Sequence, residues 1–185
     1  MRLSCVPLVA LLFVSCSNSH DSVISPPISD NNLLSNGSFE LNGVPSLQGW
    51  RSVFTDTATV SFSTDVPTNG GSFSLRLKNE WSFAGRIAAV VPAPVGMHRY
   101  RLSAWVKCMP YPYANGSMSL SLESPDSILS IKYFYFADTV WTGISLVDTL
   151  SATVGDTLFV GLSGDIHQFA AGYSFFDLCK LEKLD

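Results

Sequence analysis

Hydrophobic and polar residues alternate along most of the chain from residue 57 onward. Five segments show this period of two: 58–62, 73–77, 100–107, 118–123 and 158–162. Successive side chains of a β-strand point to opposite faces, so each segment predicts a strand with one buried face. Turn-forming residues cluster between them, at 67–71, 92–96, 114–116 and 154–156. Because no window shows a sustained helical apolar stripe, the pattern predicts an all-β fold, an antiparallel sandwich or barrel.

The N-terminal residues show a different pattern. Arg2 precedes an apolar run of nine residues, 6–14, and the small Ser15 precedes Cys16. The run has the length of the apolar part of a signal peptide and is too short to span a bilayer. Residues 12–16, LFVSC, resemble a lipobox, which implies a lipoprotein signal peptide at 1–15 and a lipid on Cys16. The alternative is an ordinary secretory signal that is cut nearby.

Lipidation would anchor the exported protein to a membrane surface without spanning it. Ser17 replaces the Asp that signals inner-membrane retention in some bacteria, which favours the outer membrane or cell surface. Residues 16–31 are rich in Ser, Asn, Asp and Pro and have no periodicity, so they predict a flexible tether. Residues 32–185 then form one domain with a sizeable core.

Composition narrows the possible partners. Charged residues make up only 14% of the chain and the net charge is -4, so no basic surface recommends a nucleic acid. Four cysteines are present, of which Cys5 leaves with the signal peptide and Cys16 carries the lipid. Cys108 and Cys179 remain, and in an oxidising compartment they form a possible disulfide. The alternative is two buried free thiols.

Three stretches together resemble the β-jelly-roll carbohydrate-binding modules that accompany bacterial xylanases and glucanases, families four, nine and twenty-two. The first is 32–40, NLLSNGSFE, followed by Gly49-Trp50; the second runs from SFSLRL at 72–77 to YRLSAWVK at 100–107. The third is Trp141 with the terminal FDLCKLE at 176–182. The resemblance covers essentially all of 32–185 and implies a two-sheet jelly-roll sandwich.

The resemblance also implies a structural calcium ion. In such modules a carboxylate of the opening strand meets one of the last strand, and the matching residues here are Glu40 and Asp177. Carboxylate oxygens suit Ca²⁺. Strand parity places Asp177 on one face with Cys179 and Leu181, which predicts an inward Asp177. Leu178 departs from the family, in which a second Asp is common, and the alternative is that both carboxylates cap turns.

No catalytic constellation is present in the sequence. The three histidines lack metal-ligand spacing, and GLSG at 161–164 is not a nucleophile elbow. Glu80, Glu123 and Asp126 could form a glycosidase pair but are more typical of solvated loop carboxylates. The sequence therefore predicts a protein that is not an enzyme.

Aromatic residues outside the alternating pattern predict a binding surface. Sugars present apolar C–H faces and hydroxyls, which suit an aromatic platform with polar neighbours. Trp50 and Trp141 are expected to fill the core. The predicted ligand-binding residues are Trp81, Arg86, Trp105, Tyr111 and Tyr113. The leading hypothesis is a non-catalytic surface lipoprotein that binds a polysaccharide or other glycan. The alternative is a structural or adhesive module that contacts envelope proteins through the same fold.

Overall fold

The computed structural model describes residues 31–53, 59–79, 84–109, 114–164 and 171–185. Within them the chain forms twelve β-strands: β1 Glu40–Leu41, β2 Val44–Pro45, β3 Arg51–Ser52, β4 Val60–Ser63, β5 Ser74–Lys78, β6 Arg86–Pro92, β7 Gly96–Met109, β8 Gly116–Ser124, β9 Ser127–Phe136, β10 Thr142–Ala152, β11 Thr157–Gly164 and β12 Tyr173–Lys183. No helix that is long and apolar enough to cross a membrane occurs in these ranges.

Ten of the strands form two antiparallel five-stranded sheets. Sheet I has the order β10-β7-β12-β5-β4, and sheet II has the order β3-β6-β11-β8-β9. Strands β1 and β2 pair with each other as a short ribbon. Sequence neighbours are often in opposite sheets, as in a jelly roll, and the predicted antiparallel jelly-roll sandwich is confirmed.

The core lies between the inner faces of the two sheets. The strands predicted from alternation bury one face each, and their inward side chains pack against each other across the sandwich. Fully buried examples are Leu77, Leu102 and Phe176 of sheet I, and Ile87, Leu120 and Leu162 of sheet II.

The two tryptophans expected in the core behave differently. Trp50 is buried, its Nε1 donates to the Asn36 carbonyl at 2.7 Å, and its ring lies 5.3 Å from that of Phe39. Trp141 is only half-buried, and its Nε1 donates to Asp65 Oδ1 at 2.9 Å on the outer side of sheet I. The core assignment is thus confirmed for Trp50 and wrong for Trp141.

A bulge in β12 changes which residues face the core. Asp177 pairs with Trp105 of β7 and Lys180 pairs with Ser103, so β12 has one extra residue between them. Leu178, at a φ of 49°, accommodates it. The inward parity predicted for Asp177 is therefore wrong, because Trp105, its partner, lies on the outer face. Asp177 is nevertheless fully buried.

Of the two alternatives for Cys108 and Cys179, the structure has the buried thiols and not the possible disulfide. Both side chains are buried and neither forms a disulfide, although their strands β7 and β12 are neighbours. However, Cys108 lies opposite Ser174, and Cys179 is five residues further along β12. At about 3.3 Å per residue the two are roughly 15 Å apart, far beyond the ~7 Å that a disulfide can bridge. Burial raises the pKa of Cys179, and the charge of Asp177 raises it further.

Candidate functional site

The outer face of sheet II forms a groove. Register places its outward residues in rows across β6, β11, β8 and β9: Arg86-Ser163-Ser117-Tyr135, Ala88-Gly161-Ser119-Tyr133 and Val90-Phe159-Ser121-Ile131. The first two rows have small residues on the two middle strands and larger ones at one or both ends. This distribution produces a low floor beside a high wall.

The floor is low because of one glycine and its neighbouring serines. A Cβ on Gly161 would lie 2.5 Å from Ser119 Oγ, so a larger residue there would displace the serine. Ser163 donates to the Gly164 carbonyl at 2.7 Å, and Ser121 donates to Glu123 Oε1 at 2.9 Å. In the described part of the chain, Ser117 and Ser119 have no comparable side-chain hydrogen bond. Their hydroxyls are available to a ligand.

Two tyrosines of the edge strand β9 form the wall. The rings of Tyr133 and Tyr135 stack with 5.9 Å between centroids and 19° between planes. Tyr133 is 46% exposed and Tyr135 is 73% exposed, so neither ring serves mainly as core packing. Exposed aromatic side chains of this size are typical of binding surfaces, where the ring offers an apolar face and the hydroxyl a polar tip.

The upper part of the groove, the end formed by the row from Arg86 to Tyr135, holds a cavity of about 580 Å³. Its lining includes Arg86, Asn115, Ser117, Tyr133 and Tyr135. This volume is in the range of about 300–1,000 Å³ that is usual for small-ligand sites. A guanidinium, serine hydroxyls and phenol groups together supply donors and acceptors for sugar hydroxyls.

Glu123 lies at the lower end of the groove floor, in β8 as the alternation at 118–123 predicts. It is the one carboxylate among the described residues that line this groove. The described lining therefore suits binding through hydroxyls and rings better than carboxylate-pair hydrolysis.

The structure separates two of the predicted ligand-binding residues. Arg86 is at the groove, whereas Trp105 lies on the outer face of sheet I, 36% exposed and paired with Gly143 and Asp177. These two cannot contribute to one site, and Trp105 stays a prediction for a separate surface. Trp81, Tyr111 and Tyr113 lie outside the described residues, as does Cys16, and remain predictions.

Sequence reasoning missed Tyr133 and Tyr135. The run SILSIKYFYF at 127–136 has no clean alternation, because side chains on both sides of this edge strand are apolar. A signal was nevertheless available: four consecutive aromatic residues, 133–136, follow the alternating β8 segment after a short turn.

Glu40 and Asp177 meet at the loop before β5. A Cβ on Gly71 would lie 2.4 Å from Glu40 Oε1, and one on Gly70 would lie 2.4 Å from Asp177 Oδ2. Two successive glycines therefore let both carboxylates approach the same stretch of backbone. Glu40 Oε1 accepts hydrogen bonds from the backbone N–H groups of Ser72 and Phe73.

The environment of Asp177 is unusual for a carboxylate. Its Oδ1 accepts from the Leu178 N–H at 2.7 Å, but its buried Oδ2 has no hydrogen-bond partner in the described structure. Burial raises the pKa of Asp177 to about 7; the Leu178 N–H opposes this rise, and the charge of Glu40 adds to it. A buried carboxylate with a free oxygen is costly unless a cation or proton meets it.

These two carboxylates fit a hard cation that prefers oxygen ligands. Ca²⁺ takes six to eight oxygens, more than two carboxylates supply. The described ranges contain no group of three or more acidic, His or Cys side chains placed to hold a metal ion together, so backbone carbonyls and water would have to complete the shell.

Two five-stranded antiparallel sheets packed face to face define a β-jelly-roll sandwich, here with a groove on one outer face. Comparison with solved structures gives the same fold. A family 16 carbohydrate-binding module has 22% identity and a TM-score of 0.62, over 81% of this chain and 99% of that one. A family 61 module in complex with β-1,4-galactotriose has 19% identity and a TM-score of 0.56, over 82% of this chain and 98% of that one.

Larger proteins contain the fold as well. The enzymatically active domain of bacteriophage CBA120 tailspike protein 4 has 16% identity and a TM-score of 0.64, over 83% of this chain. This chain spans only 21% of that tailspike chain and 26% of an α-L-arabinofuranosidase that also matches. No protein-family model and no curated protein matches the sequence. At these identities the similarity establishes the fold alone.

Proposed function

We propose that this protein is a non-catalytic module that binds a glycan in the groove of sheet II. The observation that carries the proposal is the exposed Tyr133–Tyr135 pair beside a floor of serines, next to a cavity of about 580 Å³. The similar family 61 module was solved with a galacto-oligosaccharide, and the family 16 protein is also a carbohydrate-binding module. Both are consistent with a sugar as the ligand.

The physical basis is an aromatic ring against the C–H face of a sugar, with hydroxyls held by Arg86 and Ser117. Burying one aromatic side chain contributes roughly 1–3 kcal/mol. Loss of one tyrosine ring should then lower affinity about tenfold to a hundredfold.

The test is a glycan array followed by titration with any polysaccharide that binds. Tyr135→Ala should weaken binding by that amount, whereas Tyr135→Phe, which keeps the ring, should retain most of the affinity. Because Tyr135 is 73% exposed, neither change should unfold the protein, and melting curves serve as the control. No binding to any glycan, or full binding by Tyr135→Ala, would reject the groove as a glycan site.

We also propose that Glu40 and Asp177 hold a structural calcium ion. The free buried Oδ2 of Asp177 and the two glycines that admit the carboxylates support this assignment. Such an ion would neutralise both charges and tie β12 to the loop before β5. Its role would be in stability, because these residues lie away from the groove.

The sequence supports a lipid anchor at Cys16 and a tether over 16–31, which would present the module at the outer membrane or cell surface. Cys16→Ser should move the protein out of the membrane fraction or stall its processing. A fully processed, membrane-bound Cys16→Ser protein would refute lipidation.

One feature favours the second candidate function, contact with an envelope protein. Strand β9 is ten residues long and lies at the edge of sheet II, with Ile128, Leu129 and Ile131 exposed. Free strand edges can pair with a strand of another protein. Glycan binding that persists when Pro replaces Leu129, with loss of a co-purifying envelope protein, would support this function.

A further inference from the structure

The groove does not end with the larger cavity. A second cavity of about 190 Å³ continues it along sheet II. Arg86, Ser117, Tyr133 and Ser163 line both cavities, so the two are parts of one groove. A ligand bound against the tyrosines therefore extends directly into the smaller space.

The smaller cavity has a different wall. Where the upper part has Tyr135, the lower part has Ile128 and Ile131, with Val53 and Phe159 also in the lining. One face of the Phe159 ring is already covered by the Arg51 guanidinium, 5.9 Å from the ring centroid. Aliphatic side chains offer neither hydrogen bonds nor a flat ring, so sugar hydroxyls placed against them would lose water without compensation.

The floor beside that wall is polar: Ser121 and Glu123, which hydrogen-bond to each other, lie at its lower end, and Ser119 lies next to them. Ser119 Oγ lies over Gly161, in the row that pairs with Tyr133. Its hydroxyl can donate one hydrogen bond upward. A group that fits here combines a hydrogen-bond acceptor with a small apolar part.

An acyl group has this combination, because its carbonyl oxygen can accept from Ser119 while its methyl or short alkyl part packs on Ile131 and Ile128. The size agrees: apolar cavities of about 150 Å³ hold a ligand as small as benzene.

We propose that the lower end of the groove is a subsite for a short acyl substituent, such as an acetyl ester or acetamide, carried by the bound glycan. This inference rests on the proposed glycan-binding function. It makes the protein selective for acylated over unsubstituted chains.

The test compares matched pairs of probes in titrations with the whole protein. Partially O-acetylated xylan and β-1,4-galactan are each paired with the same polymer after alkaline deacetylation, and N-acetylated chitotetraose is paired with its de-N-acetylated form. The polymers report ester recognition and the chitotetraose reports amide recognition. At least one acylated probe should bind about tenfold more tightly than its partner, from one buried methyl group and one hydrogen bond.

Variants locate the selectivity. Ile131→Thr should remove the difference in affinity between paired probes. Leu129→Thr is the matched control, since Leu129 is an exposed aliphatic residue of β9 that lines neither cavity. Tyr135→Ala should weaken both members of a pair.

The outcomes separate the two proposals. Equal affinity within every pair, together with weaker binding by Tyr135→Ala, overturns the acyl subsite and leaves glycan binding intact. Selectivity that survives Ile131→Thr also overturns the subsite. Absence of binding to all six probes and to a glycan array overturns both.

Discussion

The outer faces of the two sheets use their polar residues in opposite ways. On sheet I the charged groups pair with each other: Arg101 Nη2 lies 2.8 Å from Glu182 Oε2, and Lys107 Nζ lies 2.5 Å from Asp65 Oδ2. Trp141 donates to the other oxygen of Asp65. These charged groups are paired within the protein and are less available to a partner.

The outer face of sheet II has few such pairs in its described part. Its middle strands carry serines and a glycine, and its edge strand presents two tyrosine rings to solvent. Groups that make no strong contacts within the protein contribute little to its stability but remain available to a ligand. The comparison suggests that sheet I stabilises the sandwich and sheet II binds a ligand, and four measurements test this division.

The largest expected effect concerns Asp177, buried beneath the loop on the outer side of sheet I. Its pKa is about 7 in the folded protein, against an ordinary value of 3.8. The folded state therefore binds the proton more tightly than the unfolded state does. Without metal, this stabilisation is fully present below pH ~4 and is lost as the pH rises through 7, with a total change on the order of 4 kcal/mol.

Denaturant titrations in EDTA at pH 5 and pH 8 measure this change. We expect the metal-free protein to be more stable at pH 5, and Asp177→Asn to remove most of the difference. Equal stability of the unmodified protein at both values would mean that Asp177 titrates normally.

Removal of calcium should have the next largest effect. An ion that binds only the folded state adds roughly 2.7 kcal/mol at a hundredfold excess over its Kd. At pH 7.5, EDTA should lower the melting temperature by several degrees, and excess calcium should restore it. Glu40→Gln should abolish this response. If the melting temperature of protein shown to be metal-free does not change on addition of calcium, the ion is not bound.

Replacement of one aromatic residue on each face tests the division directly. Tyr133→Ala should lower glycan affinity about tenfold to a hundredfold, for the same reason as Tyr135→Ala. Trp105→Ala should leave the affinity unchanged, because its ring lies on the opposite sheet, against Gly143. Weaker binding by Trp105→Ala in a protein of unchanged stability would instead establish a second binding surface on sheet I.

The sequence predicted those strands that have one buried and one solvated face. Strands β7, β8 and β11 alternate cleanly because the core covers one side of each, and their bounds contain the predicted segments. Strand β9 lies at an edge and exposes apolar residues on both sides, so alternation does not mark it. The groove wall was missed for this reason, although Arg86 was anticipated.

Features that depend on register between distant strands could not be predicted. One extra residue at Leu178 reverses the parity of Asp177 relative to Cys179. The offset of about five residues between Cys108 and Cys179 likewise arises from how β7 and β12 pair. Local periodicity contains no information about either.

The smallest expected effect concerns the Lys107–Asp65 ion pair on the outer side of sheet I. Burial raises the pKa of Asp65, but hydrogen bonds from Lys107 and Trp141 outweigh it and hold the pKa below its ordinary value. The ionised form therefore stabilises the fold above pH ~4, and this contribution is lost as the pH falls through the lowered pKa. Asp65→Asn removes the charge but keeps an oxygen for Trp141. Because Asp65 is 41% exposed, solvent screens the pair, and we expect a loss of only about 1 kcal/mol at pH 7.

Glycan affinity should be unchanged in Asp65→Asn, since Asp65 and its partners are on the sheet that faces away from the groove. Denaturant titration and glycan titration of the same preparation measure both quantities. A variant that loses affinity but not stability would show that the ion pairs of sheet I take part in binding, and the two faces would then not divide stability from recognition.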